Sequence, residues 1–362
     1  MPAVGRAPGR APSGASDGVP DGVPEVGTEG GGSGCVEADG AGTWLRHMRA
    51  GDWHRAWAVG DAGIRARAGA TCWDRPRHEQ WVWDGRPLAG RRVLVRCYHG
   101  LGDTLMFARF VPPLRRVARE VTLWAQPALL PLLATMRDVG PLLPLHDGAP
   151  DAEFDVDVEV MELAHALRAA PETLPPPPSF DVAPAPLADD GRLRVGLVWE
   201  CGDWDRALRS VPLPALAPLA RVPGVHWHLL QRGPGLAALA AAGPPFAPNA
   251  APGGGARVTV SGRDDVLEAA RVVRALDLVI TVDSMPAHLA GSLGVPVWTL
   301  LPHAADWRWM EGRDTSPWYP TMRLLRQPAP GDWQALLARV AGELAALAAG
   351  PRSGESPQLP RR

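Results

Sequence analysis

The stretch LDLVITVDSMPAHLAGSLGVPVWTLL, residues 276–301, decides the fold. An uninterrupted apolar run over 276–282 predicts a buried strand, and the segment from Ser284 to Leu293 predicts a helix. A second apolar run over 295–301 predicts another strand. Because two parallel strands need a long crossover connection, usually a helix, this pattern indicates a βαβ unit in a parallel sheet.

The same alternation of short apolar runs and helical segments covers residues 91–168 and again 193–347. Between them lies APETLPPPPSFDVAPAP, residues 170–186, whose prolines exclude regular helix and favour extended chain. Repeated alternation of this kind is typical of doubly wound parallel sheets. The sequence therefore predicts an α/β protein in which two Rossmann-like, doubly wound domains face a cleft.

A short helical hairpin is predicted ahead of the first domain. Residues 43–68 read as two helices around a turn at Ala50-Gly51-Asp52, with a shared apolar face, and resemble one tetratricopeptide-type hairpin. The hairpin either packs on the domain that follows or docks a partner. The complete predicted organisation is a disordered tail (1–40), the hairpin (41–80), an N-terminal acceptor domain (81–170), a Pro-rich linker (171–190), a C-terminal nucleotide-sugar domain (191–349) and a second disordered tail (350–362).

Composition excludes several classes of protein. The chain has 362 residues and a net charge of −2, with no basic stripe of the kind that nucleic-acid binding needs. Its four cysteines lie far apart, which argues against a zinc site or a disulfide framework. The amino terminus lacks the apolar core of a signal peptide, and no apolar run reaches the roughly 20 residues that span a bilayer. We therefore expect a cytoplasmic protein, and peripheral contact with a membrane is left open.

The turn in CYHGLGDTLMFARF, residues 97–110, holds the first candidate site. Gly100 and Gly102 occupy the first two positions of a dinucleotide-binding loop, but Leu105 stands where the third glycine belongs, so an NAD site is disfavoured. Asp103 lies at a predicted helix start, at the carboxyl edge of a strand. It is either a helix N-cap or a carboxylate that accepts a proton in catalysis, and the two roles are compatible.

The second candidate site follows the strand that ends before Asp283. Ser284 is predicted to cap the next helix, whose free N–H groups and dipole favour a phosphate group. The Ser284 hydroxyl adds a donor, and His288 adds a donor or a charge. The alternative is an ordinary capped helix with a core histidine.

The third candidate site is the polar loop WECGDWDRALRSVPL, residues 199–213. Its Arg206 and Arg209 have the planar fork that suits a diphosphate, although a solvated loop is the alternative. Every fixed side-chain cation of this protein is an arginine, because the chain contains no lysine. A Trp-, Arg- and Asp-rich segment, residues 302–333, predicts either packing between domains or a stacking surface for a sugar or base.

Two Asp-x-Asp triplets raise the question of a divalent metal. Asp155 and Asp157 alternate with apolar residues, as expected for a strand with one wet face. Asp203 and Asp205 lie in a loop, where that explanation is weaker. We predict no metal site at either triplet.

Three motifs carry a resemblance to a known family: HGLGDTLMFARFVPPL, LVITVDSMPAHLAGSLGVPVWTLLP and DWRW…DTSPWYPTMRLLRQPAPGDW. Together they resemble the bacterial glycosyltransferases that follow tetratricopeptide arrays, which are similar to glycosyltransferase family 9, the ADP-heptose:lipopolysaccharide heptosyltransferases. The resemblance implies a GT-B fold with the acceptor mainly in the first domain and the nucleotide sugar mainly in the second. It also implies inverting transfer without a metal or resident cofactor.

The resemblance also implies roles for individual residues. Asp103 corresponds to the general base of the family. The residues assigned to the donor and its phosphates are Asp283, Ser284, His288, Arg209, Gln231, Gly100 and Gly102. Arg209 lies near the position of a phosphate-binding lysine in that family. Met285 replaces a glycine of the donor motif, and Pro286 follows it.

The predicted function is that of an inverting, metal-independent glycosyltransferase, hexosyl- or heptosyltransferase-like. It would move a sugar from a nucleotide-diphosphate sugar to a hydroxyl group of a glycan, a lipid-linked glycan such as lipopolysaccharide, or a protein. Two alternatives stay open: a non-catalytic nucleotide-sugar or glycan binding protein derived from such an enzyme, and a protein-interaction scaffold.

Overall fold

The computed structural model describes residues 35–202, 204–242, 246 and 257–350. The predicted disordered tails lie outside the described residues, apart from 35–40 and Gly350. The first helix begins at Cys35, ahead of the boundary predicted for the hairpin, and the predicted domain bounds stay a prediction.

The described residues form an alternating series of helices and parallel strands. The helices are α1 (Cys35–Arg49), α2 (Trp53–Ala66), α3 (Leu101–Phe107), α4 (Val111–Val117), α5 (Leu130–Leu133), α6 (Leu163–Ala166), α7 (Arg206–Arg209), α8 (Ala217–Ala220), α9 (Gly233–Ala242), α10 (Val266–Arg274), α11 (Met285–Ser292) and α12 (Trp333–Ala349). The strands are β1 (Arg92–Arg96), β2 (Glu120–Ala125), β3 (Leu142–Pro144), β4 (Val156–Glu159), β5 (Leu193–Val198), β6 (Val225–Leu229), β7 (Arg257–Val260), β8 (Leu278–Val282), β9 (Val297–Leu301) and β10 (Met322–Arg326).

The strands pair into two parallel sheets. The N-terminal sheet has the order β3-β2-β1-β4, and the C-terminal sheet has the order β10-β9-β8-β5-β6-β7 within the described residues. The strand order reverses between β1 and β4 in the first sheet and between β5 and β8 in the second. Ligands of open α/β sheets bind beside the carboxyl ends of strands at such reversals. The topology thus marks two places for ligands, one on each sheet.

Prolines shorten the helices relative to the sequence prediction. The sequence from Thr104 to about Ala118 predicts one helix, but the structure has two helices there, α3 and α4, joined by a 3₁₀ turn at 108–110. Pro112 and Pro113 lie in the first turn of α4, where their missing N–H groups leave no hydrogen bond unmade. Inside one continuous helix the same residues would break it.

Of two hydrophobic core clusters among the described residues, one contains residues from both halves of the molecule and includes Val182 of the proline-rich segment 170–186. Helix α3 packs directly on α11. Gly102 permits this close approach, since a Cβ atom there would lie 2.8 Å from His288 Cδ2 and 3.3 Å from the Cα atom of Met285.

The helical hairpin belongs to the same core. Trp53, only 1 % exposed, stacks on Trp318 with ring centroids 5.0 Å apart. The indole N–H of Trp57 donates to the carbonyl of Ala169 at 2.7 Å. The hairpin therefore packs on the α/β body, and its interpretation as a shortened tetratricopeptide remnant stays a prediction.

Candidate active site

A cleft of about 740 Å³ lies between the carboxyl edges of the two sheets. Its walls are formed by the segments that follow β1, β5, β8 and β9, together with Leu45 and Arg49 of α1. The cleft brings together most of the residues singled out from the sequence: Gly100, Gly102, Asp103, Arg209, Asp283, Ser284 and His288. These residues come from both halves of the chain, so the cleft is a candidate active site.

Asp103 lies at the third position of α3, and Gly100 is the N-cap. The prediction that Asp103 itself might cap the helix was therefore wrong. Its Oδ2 atom instead accepts the Gly100 N–H at 3.0 Å, and its Oδ1 atom accepts a hydrogen bond from Arg308 Nη2 at 2.5 Å. These two bonds fix the direction of the carboxylate, whose side chain remains 19 % exposed on the cleft.

Arg308 is the functional candidate that sequence reasoning missed. Its guanidinium is buried and pairs with Asp306 at 2.8 Å as well as with Asp103. Burial alone would lower its pKa, but Asp306 and Asp103 outweigh this effect and raise the pKa above the usual value. Its Nε finds no hydrogen-bond partner among the described residues. The DWRW motif was the signal, but nothing in it showed that this arginine meets Asp103.

Asp283 anchors Arg209 rather than facing the cleft as a free carboxylate. Arg209 Nη2 donates to the Asp283 backbone carbonyl, and Arg209 Nε lies 3.6 Å from Asp283 Oδ2. Burial raises the pKa of Asp283, while the neighbouring Arg209 acts in the opposite direction. The arginine is thereby held beside the start of α11. Arg206, the other predicted cation, pairs with Glu200 instead.

Ser284 occupies the N-cap position of α11 with an extended backbone, but its hydroxyl does not cap the helix. The hydroxyl donates to the carbonyl of Val282 at 3.2 Å. Pro286 has no N–H group to offer, which costs little in the first turn of a helix. The start of α11 thus faces the cleft without a side-chain cap of its own.

His288 is a neutral hydrogen-bonding group. Its ring is stacked on Trp309 with centroids 5.5 Å apart, and its Nδ1 atom lies 3.2 Å from the Tyr319 hydroxyl. Burial lowers its pKa to about 4, so the ring carries no charge near pH 7. Of the two roles predicted for His288, the structure favours a donor or acceptor over a cation.

Gln231 does not line the cleft, contrary to its prediction as a donor contact. Its side-chain oxygen accepts the N–H groups of Trp199 at 3.1 Å and Glu200 at 3.0 Å, and its Nε2 donates to the carbonyl of Arg232. The side chain therefore fixes the end of β5. The close packing of α3 on α11 already accounts for Gly102, and phosphate binding by Gly100 and Gly102 stays a prediction.

The structure describes three of the four aspartates in the two Asp-x-Asp triplets. Asp155 binds Arg92 through hydrogen bonds that lower its pKa to about 2, and Asp157 pairs with Arg96 at 2.7 Å. Asp203 lies outside the described residues. Within the described ranges, no group of three or more His, Cys, Asp or Glu residues is arranged to hold a metal ion. No helix among the same residues is both long and apolar enough to cross a membrane.

Comparison with known proteins agrees with this picture. The sequence model of glycosyltransferase family 9 (heptosyltransferase) matches residues 247–317, a segment that contains β8 and α11. Protein FlbA of Caulobacter vibrioides is 26% identical over 295 residues, which cover 74% of this chain and 48% of that protein. The chain thus spans about half the length of this relative.

Solved structures with a similar fold include heptosyltransferases of Escherichia coli. ADP-heptose lipopolysaccharide heptosyltransferase II is 17% identical, with a TM-score of 0.52 over 71% of this chain and 98% of its own. WaaC, solved with ADP-2-deoxy-2-fluoro heptose, is 15% identical, with a TM-score of 0.46 over 71% and 99% of the two chains. The likeness to heptosyltransferase II confirms the GT-B fold, and the family model matched over 247–317 confirms the resemblance to family 9. The chain thus has a GT-B fold, and its segment 247–317 is similar to glycosyltransferase family 9.

Proposed function

We propose that the chain is an inverting glycosyltransferase that moves a sugar from a nucleotide-diphosphate sugar to an acceptor hydroxyl group. One observation carries the proposal: the Asp103 carboxylate and the uncapped start of α11 line the same cleft. The first is a group that can take a proton, and the second is a place for a phosphate. A cytoplasmic location is part of the proposal.

The proposed reaction is a single displacement. The acceptor oxygen forms a bond to the anomeric carbon as its proton passes to Asp103. The bond from that carbon to the diphosphate breaks, and the electron pair leaves with the diphosphate. Attack opposite the leaving group inverts the anomeric centre. Arg308 is a positioning residue in this scheme, because its hydrogen bond aims the Asp103 carboxylate.

The leaving diphosphate gains negative charge, and fixed donors in the cleft would stabilise it. Arg209 supplies a permanent cation, α11 supplies the positive end of its dipole, and neutral His288 supplies a hydrogen bond. These groups do the work that Asp-x-Asp enzymes assign to a divalent metal. We therefore propose transfer without a resident metal or cofactor.

The test separates binding from chemistry. A thermal-shift panel of ADP-, UDP-, GDP- and dTDP-sugars identifies the donor, since a ligand at about 100 times its dissociation constant stabilises a protein by roughly 2.7 kcal/mol. With that donor, Asp103→Asn should keep nucleotide binding and lose transfer. The matched control is Asp74→Asn, at an exposed position away from the cleft, which should retain full activity.

Two outcomes would decide against the proposal. Turnover retained by Asp103→Asn would remove Asp103 as the base. A wild-type protein that binds a nucleotide sugar but neither transfers nor hydrolyses it would favour the non-catalytic binding protein instead.

A further inference from the structure

A second cavity, of about 200 Å³, lies beside the cleft. It is lined by His99, which follows β1, and by Glu159 and Met161 at the end of β4. The strand order of the N-terminal sheet reverses between these two strands, which is where open α/β sheets bind ligands. The proposed donor site, between β5 and β8, holds the equivalent place on the other sheet. The second cavity thus occupies a ligand position that the first site leaves unused.

Three tryptophans form the apolar walls of this cavity. Trp44 and Trp57 come from the helical hairpin, and Trp307 comes from the segment after β9. The ring of Trp44 stands edge-on to Trp307, with centroids 5.2 Å apart, and lies 6.4 Å from Trp57. Rigid indole rings offer large flat contact areas at little conformational cost.

Glu162 supplies a polar atom in the same cavity. Its Oε2 atom accepts the backbone N–H groups of Trp83 at 2.8 Å and Glu159 at 3.0 Å. Its Oε1 atom receives no hydrogen bond from any described residue, and the nearest cation, Arg67 Nη2, is 3.9 Å away. Oε1 is therefore available to accept a hydrogen bond from a ligand.

The cavity is separated from Asp103 by one layer of side chains. The sulfur atom of Met161 lies 3.8 Å from Arg308 Nη2, the nitrogen that binds Asp103. Trp307 lines both the cavity and the cleft, and His99 in the cavity is followed directly by Gly100 in the cleft. The cavity and the cleft are therefore neighbours, and Trp307 forms part of the wall of each.

We propose that this cavity binds one pyranose ring of the acceptor, next to the sugar whose hydroxyl group is attacked. This inference rests on the proposed function only where it identifies the bound sugar as part of the acceptor. The volume is below the roughly 300–1,000 Å³ of sites for drug-sized ligands, so it suits a single ring. The apolar indole rings that line the cavity suit the C–H groups of a pyranose, and Glu162 Oε1 accepts one of its hydroxyl groups.

A neutral ligand fits this cavity better than a cation. Tryptophans and carboxylates also attract ammonium groups. Here, however, His99 Nδ1 lies 3.0 Å from Glu159 and Arg67 Nη2 lies 3.9 Å from Glu162, so each carboxylate already has a nitrogen-bearing side chain beside it. A polyol needs only the hydrogen bond.

The test uses the full chain without any donor. Saturation-transfer NMR with methyl glycosides of glucose, galactose and N-acetylglucosamine should detect binding to the wild-type protein. Trp44→Ala should weaken it at least tenfold. Glu162→Gln, which keeps one oxygen for the two backbone N–H groups and turns the other acceptor into a donor, should weaken it severalfold. Trp73→Ala, at an exposed tryptophan outside the cavity, is the control and should change nothing.

Failure of this inference is distinguishable from failure of the proposed function, because nucleotide-sugar binding is measured separately. Nucleotide binding without any glycoside signal would overturn the sugar cavity and leave the donor site standing. Glycoside binding that is unchanged in both Trp44→Ala and Glu162→Gln would also overturn it. So would preferential binding of tetramethylammonium over every glycoside, which would make the cavity a cation site.

Discussion

Replacing Gly102 with alanine tests how closely the two halves of the molecule are packed. The added Cβ atom would lie 2.8 Å from His288 Cδ2, at least 0.6 Å closer than an ordinary contact, which begins at 3.4 Å. The imidazole cannot swing away, because Trp309 stacks on it and the Tyr319 hydroxyl lies within 3.2 Å of Nδ1. Helices α3 and α11 must therefore separate. Overpacking of this kind costs about 1–3 kcal/mol.

Urea unfolding of Gly102→Ala should show this loss as a lower midpoint with an unchanged slope. The matched control is Gly63→Ala in α2, where an added Cβ atom meets nothing within 4 Å. Alanine is favoured over glycine inside a helix by about 0.5–1 kcal/mol, so this variant should be stabilised. Equal midpoints for the two variants would refute the close packing of α3 on α11.

Three further predictions concern the core and the cleft. Arg308→Gln should lower the free energy of unfolding by about 1–3 kcal/mol, because it leaves two partly buried carboxylates, Asp103 and Asp306, without their cation, and adding Asp103→Asn should recover part of that loss. If the losses in unfolding free energy of the two single variants simply add in the double variant, Arg308 and Asp103 are not coupled. Trp53→Ala, which removes a buried ring stacked on Trp318, should cost about 3–5 kcal/mol, and a loss below 1 kcal/mol would place the hairpin outside the core. Burial lowers the pKa of His288 from 6.5 to about 4, so the unfolded chain binds more protons between these pH values. The contribution of neutral His288 to the free energy of unfolding should be fully present above pH 6.5 and should be lost as the pH falls toward 4. The unfolding midpoint of His288→Gln should therefore fall less than that of the wild-type protein over the same pH range.

The parallel sheets could be predicted because their strands are buried on both faces. Runs such as LVITV in β8 are apolar at nearly every position, and such a run can be recognised without knowing which strands pair with it. Helix lengths were harder to predict. The helical period continues through Pro112 and Pro113, so periodicity alone did not reveal the 3₁₀ turn between α3 and α4.

Cleft residues could be predicted from the sequence when their position after a strand places them at the edge of a sheet. They could not be predicted when their role depends on a contact between distant parts of the chain. Asp103 and Ser284 lie in the segments that follow β1 and β8, and both line the cleft. Gln231 also follows a strand, but a neighbouring backbone takes up its amide oxygen. Arg308 meets Asp103 across 205 residues of sequence, a contact that no local pattern contains.

The ion pair between Arg308 and Asp103 has a consequence for how ligands reach the cleft. It joins a segment after β9 to a segment after β1, so moving the two sheets apart would break the ion pair that the buried Arg308 makes with Asp103. Diffusion into the cleft is therefore expected along its exposed rim, where Trp204 is 68% and Leu208 49% exposed. Changes at Trp204 should then alter the rate of nucleotide release.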